Sequence, residues 1–379
     1  MSQELNNLKI AVVHDHLGWS GGGERTAMLM ALELNADFIS VYSNTSTYSD
    51  YQARLGSRLK VLTTRILDKE VIRFFWMRAI FWQHRKVFDQ YDVLIASGQA
   101  ATEAVTKYGL AKTVRILYCH TPPRRVYDLY EPSRARYKWY LRPLFTVFTK
   151  YWDFIYRKAL AKFDYIVVNS ENNKKRLEHY TGFVADAVVW PPIITENFVW
   201  QNQGDYYLSW ARVDENKRVE LIVEAFRRMP DKKLIVASGG SRMTEVKKLA
   251  EDCPNIRILG WQEENSLYRL VGNCLAAIYI PNDEDAGMTQ LEANAAGKPV
   301  IGVDEGGLKE SIIEGVTGIK IKANPTVEDL IEAVKRCTPE WCAEQRPACE
   351  QHAQKFDASI FIDKIKKIVS LNIANKLHT

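Results

Sequence analysis

The amino-acid sequence predicts an α/β fold with two doubly wound, Rossmann-like domains. Short apolar runs of strand character alternate with amphipathic segments of ten or more residues, as in parallel sheets covered by helices on both faces. A length of 379 residues fits roughly two or three average domains, and an apolar fraction of 46% is ordinary for a globular chain. Two adjacent prolines near residue 191 separate two series of strands.

The strands are predicted from their short, aliphatic character. Those of the first series are KIAVV (9–13), DFISVY (37–42), DVLIAS (92–97), RILYC (115–119) and YIVVNS (165–170), and those of the second are DYYLSW (205–210), KLIVAS (233–238), CLAAIYI (274–280) and PVIGV (299–303).

The break between the two series defines the predicted domains. We expect an N-terminal domain over 1–190, a linker over 191–204 and a C-terminal domain over 205–355. Residues 356–379 are expected to form a C-terminal helix that packs back on the N-terminal domain. Ligands of open parallel sheets bind outside the carboxyl ends of the strands, so two such domains facing each other would bind a ligand in the cleft.

Charge is distributed unevenly along the chain. Positions 1–190 hold 27 Lys and Arg against 18 Asp and Glu, whereas positions 191–379 hold 24 against 28. This asymmetry indicates that the first half contacts something anionic.

Two segments of the first half, 71–86 and 124–162, interleave basic residues with Tyr, Trp and Phe. Aromatic side chains suit the headgroup layer, and Lys and Arg attract anionic lipid, so both segments predict contact with an anionic membrane. The alternative is that the aromatic residues belong to the core. Nucleic acid is not an expected partner, because no nucleic-acid motif accompanies these patches. The basic residues expected to face lipid are Arg134, Arg136, Lys138 and Arg142.

The sequence predicts neither a membrane-spanning helix nor a signal peptide. No stretch of about 18 apolar residues is free of charge, and MSQELNNLKIAVV runs directly into a strand. We therefore expect a cytoplasmic protein, peripheral on the inner face of the membrane. The six cysteines are too few for a disulfide framework and lack a C-x2-C pair, so no metal site is predicted from them.

Thirteen residues of the C-terminal half, EDAGMTQLEANAA, place the carboxylates of Glu284 and Glu292 with seven residues between them. They follow the apolar strand 274–280 and a turn, and they lead into a helix. Backbone N–H groups around Gly287 and Met288 lie at the start of this helix, where unpaired donors favour anionic or hydroxyl-rich ligands. The pattern predicts a site for a sugar nucleotide.

The run from Pro281 to Ile301 reads P-x-x-E-x-x-G-x-x-x-L-E-A-x-A-A-G-K-P-V-I and resembles the signature of retaining glycosyltransferases of family 4. The resemblance implies the GT-B fold, with two Rossmann-like domains facing across a cleft. It places Glu284 at the donor sugar and Glu292 at the ribose of the nucleotide. An ordinary strand, turn and helix with solvated acids is the alternative. Further residues in the family's order are Gly306, Gly307, Glu310, Gly315 and Gly318.

The segment ARVDENKR resembles the family's G-R-[LI]-x-x-x-K-G. The resemblance assigns Arg212 and Lys217 to the diphosphate. A diphosphate leaving group gains negative charge as the glycosidic bond breaks, and fixed cations stabilise this charge without a metal ion. The sequence departs from the family where Ala211 precedes the Arg and Arg218 follows the Lys, since both positions usually hold Gly.

A glycine loop, SGGGERT, follows the first strand and precedes a helix. A dinucleotide fingerprint is not met, because Thr26 stands where the third glycine is required and the second strand does not end in an acid, so NAD is not expected. The resemblance implies that Gly22 and Gly23 line the cleft near the donor phosphate and the acceptor. A tight turn without a ligand is the alternative.

His120 ends the apolar strand 115–119, at the position where family members often hold a His beside the donor sugar. Such a side chain can hydrogen-bond a sugar hydroxyl or assist proton transfer; the alternative is a buried structural His. His14 and His16 follow the first strand, and either a ligand contact or a structural role fits them. Cys119 is expected to point away from His120, which leaves no support for thiol chemistry.

The resemblance covers nearly the whole chain and implies transfer of a sugar, with retention, from a nucleotide diphosphate donor to a hydroxyl of a glycan or lipid-linked acceptor. Within the family, the sequence is most similar to mannosyltransferases of O-antigen and lipid-linked oligosaccharide assembly, so the resemblance implies GDP-mannose as the donor. The nucleotide sugar is a substrate, and no cofactor or metal is expected. A sugar-nucleotide epimerase of GT-B-like fold and a catalytically silent binding subunit are the alternatives.

Overall fold

The computed structural model describes residues 8–18, 21–67 and 69–377. The opening MSQELNN, which bears on the expected absence of a signal peptide, and Trp19 and Ser20 of the glycine loop lie outside the described residues. The chain divides into two compact units. Unit 1 comprises Met1–Trp190 and Phe361–Thr379, and unit 2 comprises Pro191–Ile360.

Unit 1 is built on a seven-stranded sheet of order β3-β2-β1-β4-β5-β6-β7, in which every neighbouring pair is parallel. Its interior strands are almost wholly buried, as expected for a parallel sheet whose connecting helices cover both faces. The strands are β1 (Ile10–Leu17), β2 (Asp37–Ser43), β3 (Leu59–Val61), β4 (Val93–Ala96), β5 (Val114–Cys119), β6 (Tyr165–Val168) and β7 (Ala187–Val188).

The helices of unit 1 begin at recognisable signals. Ser170 caps the helix Glu171–Thr181, because its hydroxyl accepts a hydrogen bond from the N–H of Asn173 at 3.0 Å. Pro143 lies in the first turn of the helix Arg142–Leu160, where its missing N–H costs nothing. The helices are α1 (Gly22–Glu33), α2 (Ser49–Leu55), α3 (Glu70–Gln83), α4 (Gln99–Lys107), α5 (Tyr130–Ala135), α6 (Arg142–Leu160) and α7 (Glu171–Thr181).

Unit 2 contains a six-stranded parallel sheet of order β10-β9-β8-β11-β12-β13. Both sheets have the doubly wound order in which the chain reverses direction across the sheet between two central strands, so the prediction of an α/β fold with two doubly wound domains is confirmed. The strands are β8 (Tyr206–Ser209), β9 (Lys233–Val236), β10 (Ile256–Ile258), β11 (Ala276–Tyr279), β12 (Val300–Val303) and β13 (Gly318–Ile321).

The helices of unit 2 include one with a capping box, in which Thr326 and Asp329 exchange hydrogen bonds at the N-terminus. Residues 191–204 pack within unit 2, where the Ile193 N–H donates to the Phe356 carbonyl at 3.0 Å. The helices are α8 (Val219–Arg227), α9 (Met243–Leu249), α10 (Glu264–Asn273), α11 (Thr289–Ala295), α12 (Leu308–Ser311), α13 (Val327–Arg336) and α14 (Pro339–Gln354).

The last helix, α15 (Ala358–Leu377), lies almost wholly in unit 1. Near its start, the Phe361 ring packs edge-on against Tyr118 of β5 with ring centroids 5.6 Å apart. Near its end, the Lys376 ammonium lies 2.9 Å from the Asp164 carboxylate. None of the helices in the described ranges has the length and apolarity needed to cross a membrane.

Candidate active site

The charged residues of unit 2 come together because β8 and β11 are adjacent strands at the reversal point of the sheet. The turn after β8 carries Arg212 and Lys217, and the loop after β11 carries Glu284. Parallel neighbours present their carboxyl ends at the same edge, which is where ligands of doubly wound sheets bind. The topology therefore places a cation and a carboxylate at a ligand-binding edge.

Lys217 and Glu284 form an ion pair, with Nζ and Oε2 2.5 Å apart. Lys217 Nζ also donates to the Tyr279 hydroxyl at 3.1 Å. Burial opposes the charged amine, but the Glu284 carboxylate and Tyr279 outweigh it and raise the pKa of Lys217 above its ordinary value. The lysine is therefore a permanent cation, held in place before any ligand binds.

Arg212 forms a different pair, with its Nε 2.5 Å from Oδ2 of Asp214. Asp214 also accepts hydrogen bonds from the Ser241 backbone N–H and hydroxyl at 3.1 and 2.7 Å. Burial opposes its charge, but these hydrogen bonds and Arg212 together lower the pKa of Asp214. Arg212 is about half exposed, so its guanidinium is oriented by the aspartate yet remains open to solvent.

Glu292 lies in α11 and is buried, with its Oε2 accepting a hydrogen bond from Trp210 Nε1 at 3.1 Å. Trp210 immediately follows β8, so this hydrogen bond also joins the turn after β8 to helix α11. A buried carboxylate needs compensating donors, and the indole supplies one of them. The side chain is thereby fixed at the same end of the sheet as the lysine pair.

Two glycines set the position of the loop that carries Glu284. A Cβ atom added to Gly306 would lie 2.3 Å from the Glu284 carbonyl oxygen, and one added to Gly307 would lie 2.5 Å from that of Asp285. The Gly307 N–H donates to the Glu284 carbonyl at 2.7 Å. Only residues without a side chain allow this close backbone contact.

Gly287 and Met288, predicted to offer backbone donors, lie directly before α11. Gly287 has φ of 75°, and the Met288 carbonyl accepts hydrogen bonds from the N–H groups of Leu291 and Glu292 at 2.9 and 2.8 Å. Helix α11 therefore begins only after the loop, and Glu284 lies in that loop. Donation from Gly287 and Met288 to a ligand stays a prediction.

Arg218, a departure from the family sequence, ties the turn after β8 to the loop after β11. Its Nη1 lies 2.6 Å from Glu305 Oε1, and its Nη2 donates to Asn282 Oδ1 at 3.0 Å. Glu305 in turn accepts from the Asp283 N–H at 3.4 Å. Both Arg218 and Asp283 have left-handed backbones, with φ of 53° and 43°. The guanidinium therefore braces the loop directly preceding Glu284, in a backbone conformation that costs an arginine on the order of 1 kcal/mol.

Replacing Arg218 by glycine is expected to lower kcat by about tenfold, since a misplaced catalytic group commonly costs up to about a hundredfold. Glycine tolerates the left-handed backbone, so the change adds no strain. It leaves the largely buried Glu305 carboxylate without its cation, so the melting temperature should also fall. Steady-state kinetics and amide hydrogen exchange over 280–284 measure the effect. Arg228→Ala, which removes an exposed guanidinium paired with Glu328, is the control. An unchanged kcat with unchanged exchange in Arg218→Gly would show that the brace has no role.

Unit 1 contains its own cavity of about 260 Å³ at the carboxyl ends of β1, β4 and β5. His120 is in its wall, with Nε2 2.7 Å from the Ser97 hydroxyl. Burial, followed by the nearby His14, lowers the pKa of His120 to about 3. The imidazole is therefore neutral at physiological pH and serves as a hydrogen-bonding group. The lining residues include His14, Asp15, His16, Gly23, Glu24, Ser97, Thr102, His120 and Thr121.

Gly22 and Gly23 are the first two residues of α1. A Cβ atom on Gly23 would lie 3.6 Å from the His120 ring, an ordinary van der Waals distance, so the start of α1 lies directly beside the histidine in the cavity wall. The two predicted residues Gly23 and His120 are thus brought together. Their contact with a sugar or phosphate stays a prediction.

Asp15, between the two other histidines, holds the start of α4. Its carboxylate accepts hydrogen bonds from the N–H groups of Gln99 and Ala101 at 2.9 and 2.8 Å. Burial lowers the pKa of His16 to about 4, with Asp15 opposing the shift. Sequence patterns had not identified Ser97 or Asp15, because their partners lie more than twenty residues away along the chain.

Cys119 Sγ lies 3.6 Å from the Tyr156 hydroxyl, and both residues are among those that line the same cavity as His120. That the Cys119 side chain points away from His120 stays a prediction. Within the described residues, no group of three or more His, Cys, Asp or Glu side chains is arranged to hold a metal ion.

Two doubly wound units, with polar residues at the carboxyl ends of the strands that flank each reversal point, are the architecture of the GT-B glycosyltransferases that this chain resembles in structure, which confirms the GT-B prediction. Two family models match the chain: the model of glycosyl transferases group 1 over residues 193–356 and that of glycosyltransferase family 4 over residues 20–197. The protein belongs to this family of glycosyltransferases, as the motif resemblance predicted.

Proteins with sequences similar to this chain include mannosyltransferases. The chain is 25% identical to the alpha-1,3/1,6-mannosyltransferase ALG2 of Dictyostelium discoideum, covering 89% of this chain and 91% of that protein. Over a shorter region, 28% of this chain and 30% of the relative, it is 35% identical to the O-antigen biosynthesis glycosyltransferase WbnH of Escherichia coli.

Solved structures share the fold at low sequence identity. Anabaena Alr3699/HepE in complex with UDP and glucose superposes with a TM-score of 0.76 at 14% identity, covering 96% of this chain and 100% of that chain. Sucrose-phosphate synthase from Thermosynechococcus elongatus superposes with a TM-score of 0.75 at 14% identity, covering 97% and 100%.

Proposed function

We propose that this glycosyltransferase transfers mannose from GDP-mannose to a hydroxyl of a lipid-linked glycan acceptor, with retention of the anomeric configuration. The observation that carries the proposal is the Lys217–Glu284 pair at the same sheet edge as the buried Glu292. The relatives named as mannosyltransferases favour mannose as the sugar. Retention rests on the resemblance to family 4.

In this mechanism, Lys217 and Arg212 stabilise the diphosphate as its bond to the sugar C1 breaks. Both cations are already oriented by carboxylates, so little reorganisation is required as negative charge develops. The acceptor oxygen forms the new bond to C1, and its proton passes to the leaving phosphate. With two fixed cations at the diphosphate, we propose that the reaction is independent of a metal ion.

The two carboxylates have separate tasks in the proposal. Glu284 contacts hydroxyl groups of the donor sugar, while Glu292 accepts hydrogen bonds from the ribose. In unit 1, the neutral His120 imidazole in the wall of the cavity exchanges a hydrogen bond with a sugar hydroxyl. We further propose that the enzyme works at the surface of an anionic membrane, where a lipid-linked acceptor resides.

A thermal-shift titration with GDP-mannose, UDP-glucose and an ADP-sugar tests the donor assignment. A ligand at about 100 times its dissociation constant stabilises the folded state by roughly 2.7 kcal/mol, so the cognate donor should give the largest shift. The same shift in excess EDTA is expected if no metal takes part. A shift with the UDP-sugar alone would overturn the choice of GDP. UDP is the alternative nucleotide to test, because the structurally similar HepE was solved in complex with UDP and glucose.

The two alternative functions give different results in the same samples. An epimerase would convert the sugar nucleotide with no acceptor present, whereas a transferase requires the acceptor for turnover beyond slow hydrolysis. A silent binding subunit would show the thermal shift and no turnover with any acceptor. Proton NMR of the product's anomeric signal distinguishes retention from inversion.

A further inference from the structure

Helix α6 has an apolar stripe on its solvent side. Leu144, Val147, Tyr151 and Phe154 follow at spacings i, i+3, i+7 and i+10, which place them on one helix face. Leu144, Val147 and Phe154 are 67%, 64% and 63% exposed. Contiguous exposed apolar surface of this kind is unusual and marks an interaction site.

Helix α3 repeats the same pattern with Ile72, Phe75, Ala79 and Trp82, all of them exposed. The stripes of the two helices adjoin, because the Phe75 ring stacks on Tyr151 of α6 with centroids 6.2 Å apart. We call these eight residues the two-helix apolar face.

The two-helix apolar face is separate from the residues by which α3 and α6 pack against each other in the core of unit 1. Other residues of the same helices make the internal contact, with the Phe74 ring 4.5 Å from Trp152 and 5.3 Å from Phe148 between ring centroids. All three of these rings are buried. Each helix therefore has one apolar side for folding and a second, adjacent one that remains uncovered.

The charge around the face is strongly positive. Residues 130–160 hold seven Lys and Arg against two Asp and Glu, a net charge equal to the +5 of the whole chain. Of the two acids, Asp153 is already paired with Arg157 at 2.8 Å. Lys138, Lys150 and Lys158 are exposed. Trp139, which is 78% exposed, stands beside Lys138.

Two of the cations expected from the sequence to face lipid also have internal partners. Arg134 lies 3.6 Å from the Glu131 carboxylate, and the Arg142 Nε donates to the Tyr137 carbonyl at 3.2 Å. The exposed lysines, together with the apolar stripes, thus become the better candidates for the contact.

We propose that the two-helix apolar face inserts into the interfacial layer of an anionic lipid bilayer. Aromatic and aliphatic side chains enter the boundary of headgroups and acyl chains, while the surrounding lysines remain at the anionic headgroups. A protein partner fits less well, because protein interfaces are depleted in lysine. The proposal names a partner for the glycosyltransferase, but it does not depend on the identity of the donor.

Flotation of the full chain with vesicles, in the absence of donor and acceptor, tests this proposal. The wild type should float with equimolar phosphatidylglycerol and phosphatidylcholine, and much less with phosphatidylcholine alone. The double variant Leu144→Asp, Phe154→Asp should lose at least about tenfold in vesicle partitioning, because two charges replace two inserted apolar groups. Salt that reduces the screening length to about 3 Å should weaken the wild-type binding.

The matched control is Leu110→Asp, Val184→Asp, which changes two exposed apolar residues of unit 1 outside α3 and α6. It should float like the wild type, and the melting temperatures of both double variants should stay close to it. The proposal is overturned if the wild type stays at the bottom of the gradient at low salt, or if the control loses flotation equally. Sedimentation that reveals a dimer dissociated by Leu144→Asp, Phe154→Asp, without flotation, would assign the face to a second copy instead. A failed donor assignment would leave flotation unchanged.

Discussion

Replacing Lys217 by alanine is expected to lower kcat by about 10²-fold or more. The lysine side chain is only 13% exposed, permanently charged and fixed by Glu284 and Tyr279, so it stabilises developing negative charge without reorganising. Loss of one such preorganised group commonly costs a factor of about 10² to 10³. Steady-state kinetics with the cognate donor and a soluble acceptor analogue measure the effect.

Removing the lysine also leaves Glu284 without its cation, so a double-mutant cycle with Glu284→Gln separates the two causes. If Lys217 acts only by placing Glu284, the double variant will be no slower than Glu284→Gln alone. If it acts on the diphosphate, the double variant will be slower still. Lys233→Ala breaks an exposed pair with Asp205 in the same unit and is the control. Wild-type kcat in Lys217→Ala would contradict the diphosphate assignment.

The sequence predicted the interior of both sheets but missed their edges. All nine strands recognised from their apolar runs are interior strands, and the four others in the described part of the chain, β3, β7, β10 and β13, lie at the sheet edges. Interior strands of parallel sheets are buried on both faces and read as continuous aliphatic runs. Edge strands are short or contain charged residues, as in Leu59–Val61 and Ile256–Ile258, because one side lacks a partner strand. The hydrophobic pattern of the chain thus predicts the buried interior strands better than it predicts the edge strands at which each sheet ends.

The candidate site, too, was predictable only in part from the sequence. Motif spacing identified Lys217 and Glu284, and the adjacency of their strands explains why they form a pair. The pairing of Arg212 with Asp214 and the brace made by Arg218 depend on turn geometry, which spacing does not encode. One signal was available, since an arginine at a position that usually holds glycine suggests a left-handed backbone. Arg218 has that backbone, and its side chain is used to hold the neighbouring loop.

The two segments whose composition predicted membrane contact, 71–86 and 124–162, show how little composition says about which side chains are exposed. Interleaved bases and aromatics predicted a surface, yet the side chains divide between core and solvent according to helix face, with Phe148 buried and Val147 exposed. Only the helix positions and their packing reveal two adjoining stripes. Composition therefore located the helices, and three-dimensional packing identified the face.

The two carboxylates are expected to fail in different ways when neutralised. Glu284→Gln should lower kcat by about 10²-fold while binding of free nucleoside diphosphate changes little, because the side chain is assigned to the reacting sugar. Glu292→Gln should raise the dissociation constant of free nucleoside diphosphate by about 10-fold or more, since hydrogen bonds to a charged acceptor are worth about 1.5–3 kcal/mol. Calorimetry and steady-state kinetics on both variants separate binding from turnover.

The amide introduced by Glu292→Gln retains an oxygen for the Trp210 indole, so this substitution tests the negative charge rather than the packing of α11. Glu332→Gln, which neutralises an exposed carboxylate paired with Lys335, is the control for both measurements. Glu284→Gln also loosens its ion pair with Lys217, so its melting temperature should fall modestly while that of Glu332→Gln stays near the wild type. If Glu292→Gln bound the nucleotide as tightly as the wild type and Glu284→Gln turned over normally, neither carboxylate would contact the donor. The sugar-nucleotide site would then have to lie away from the sheet edge at which these two residues meet.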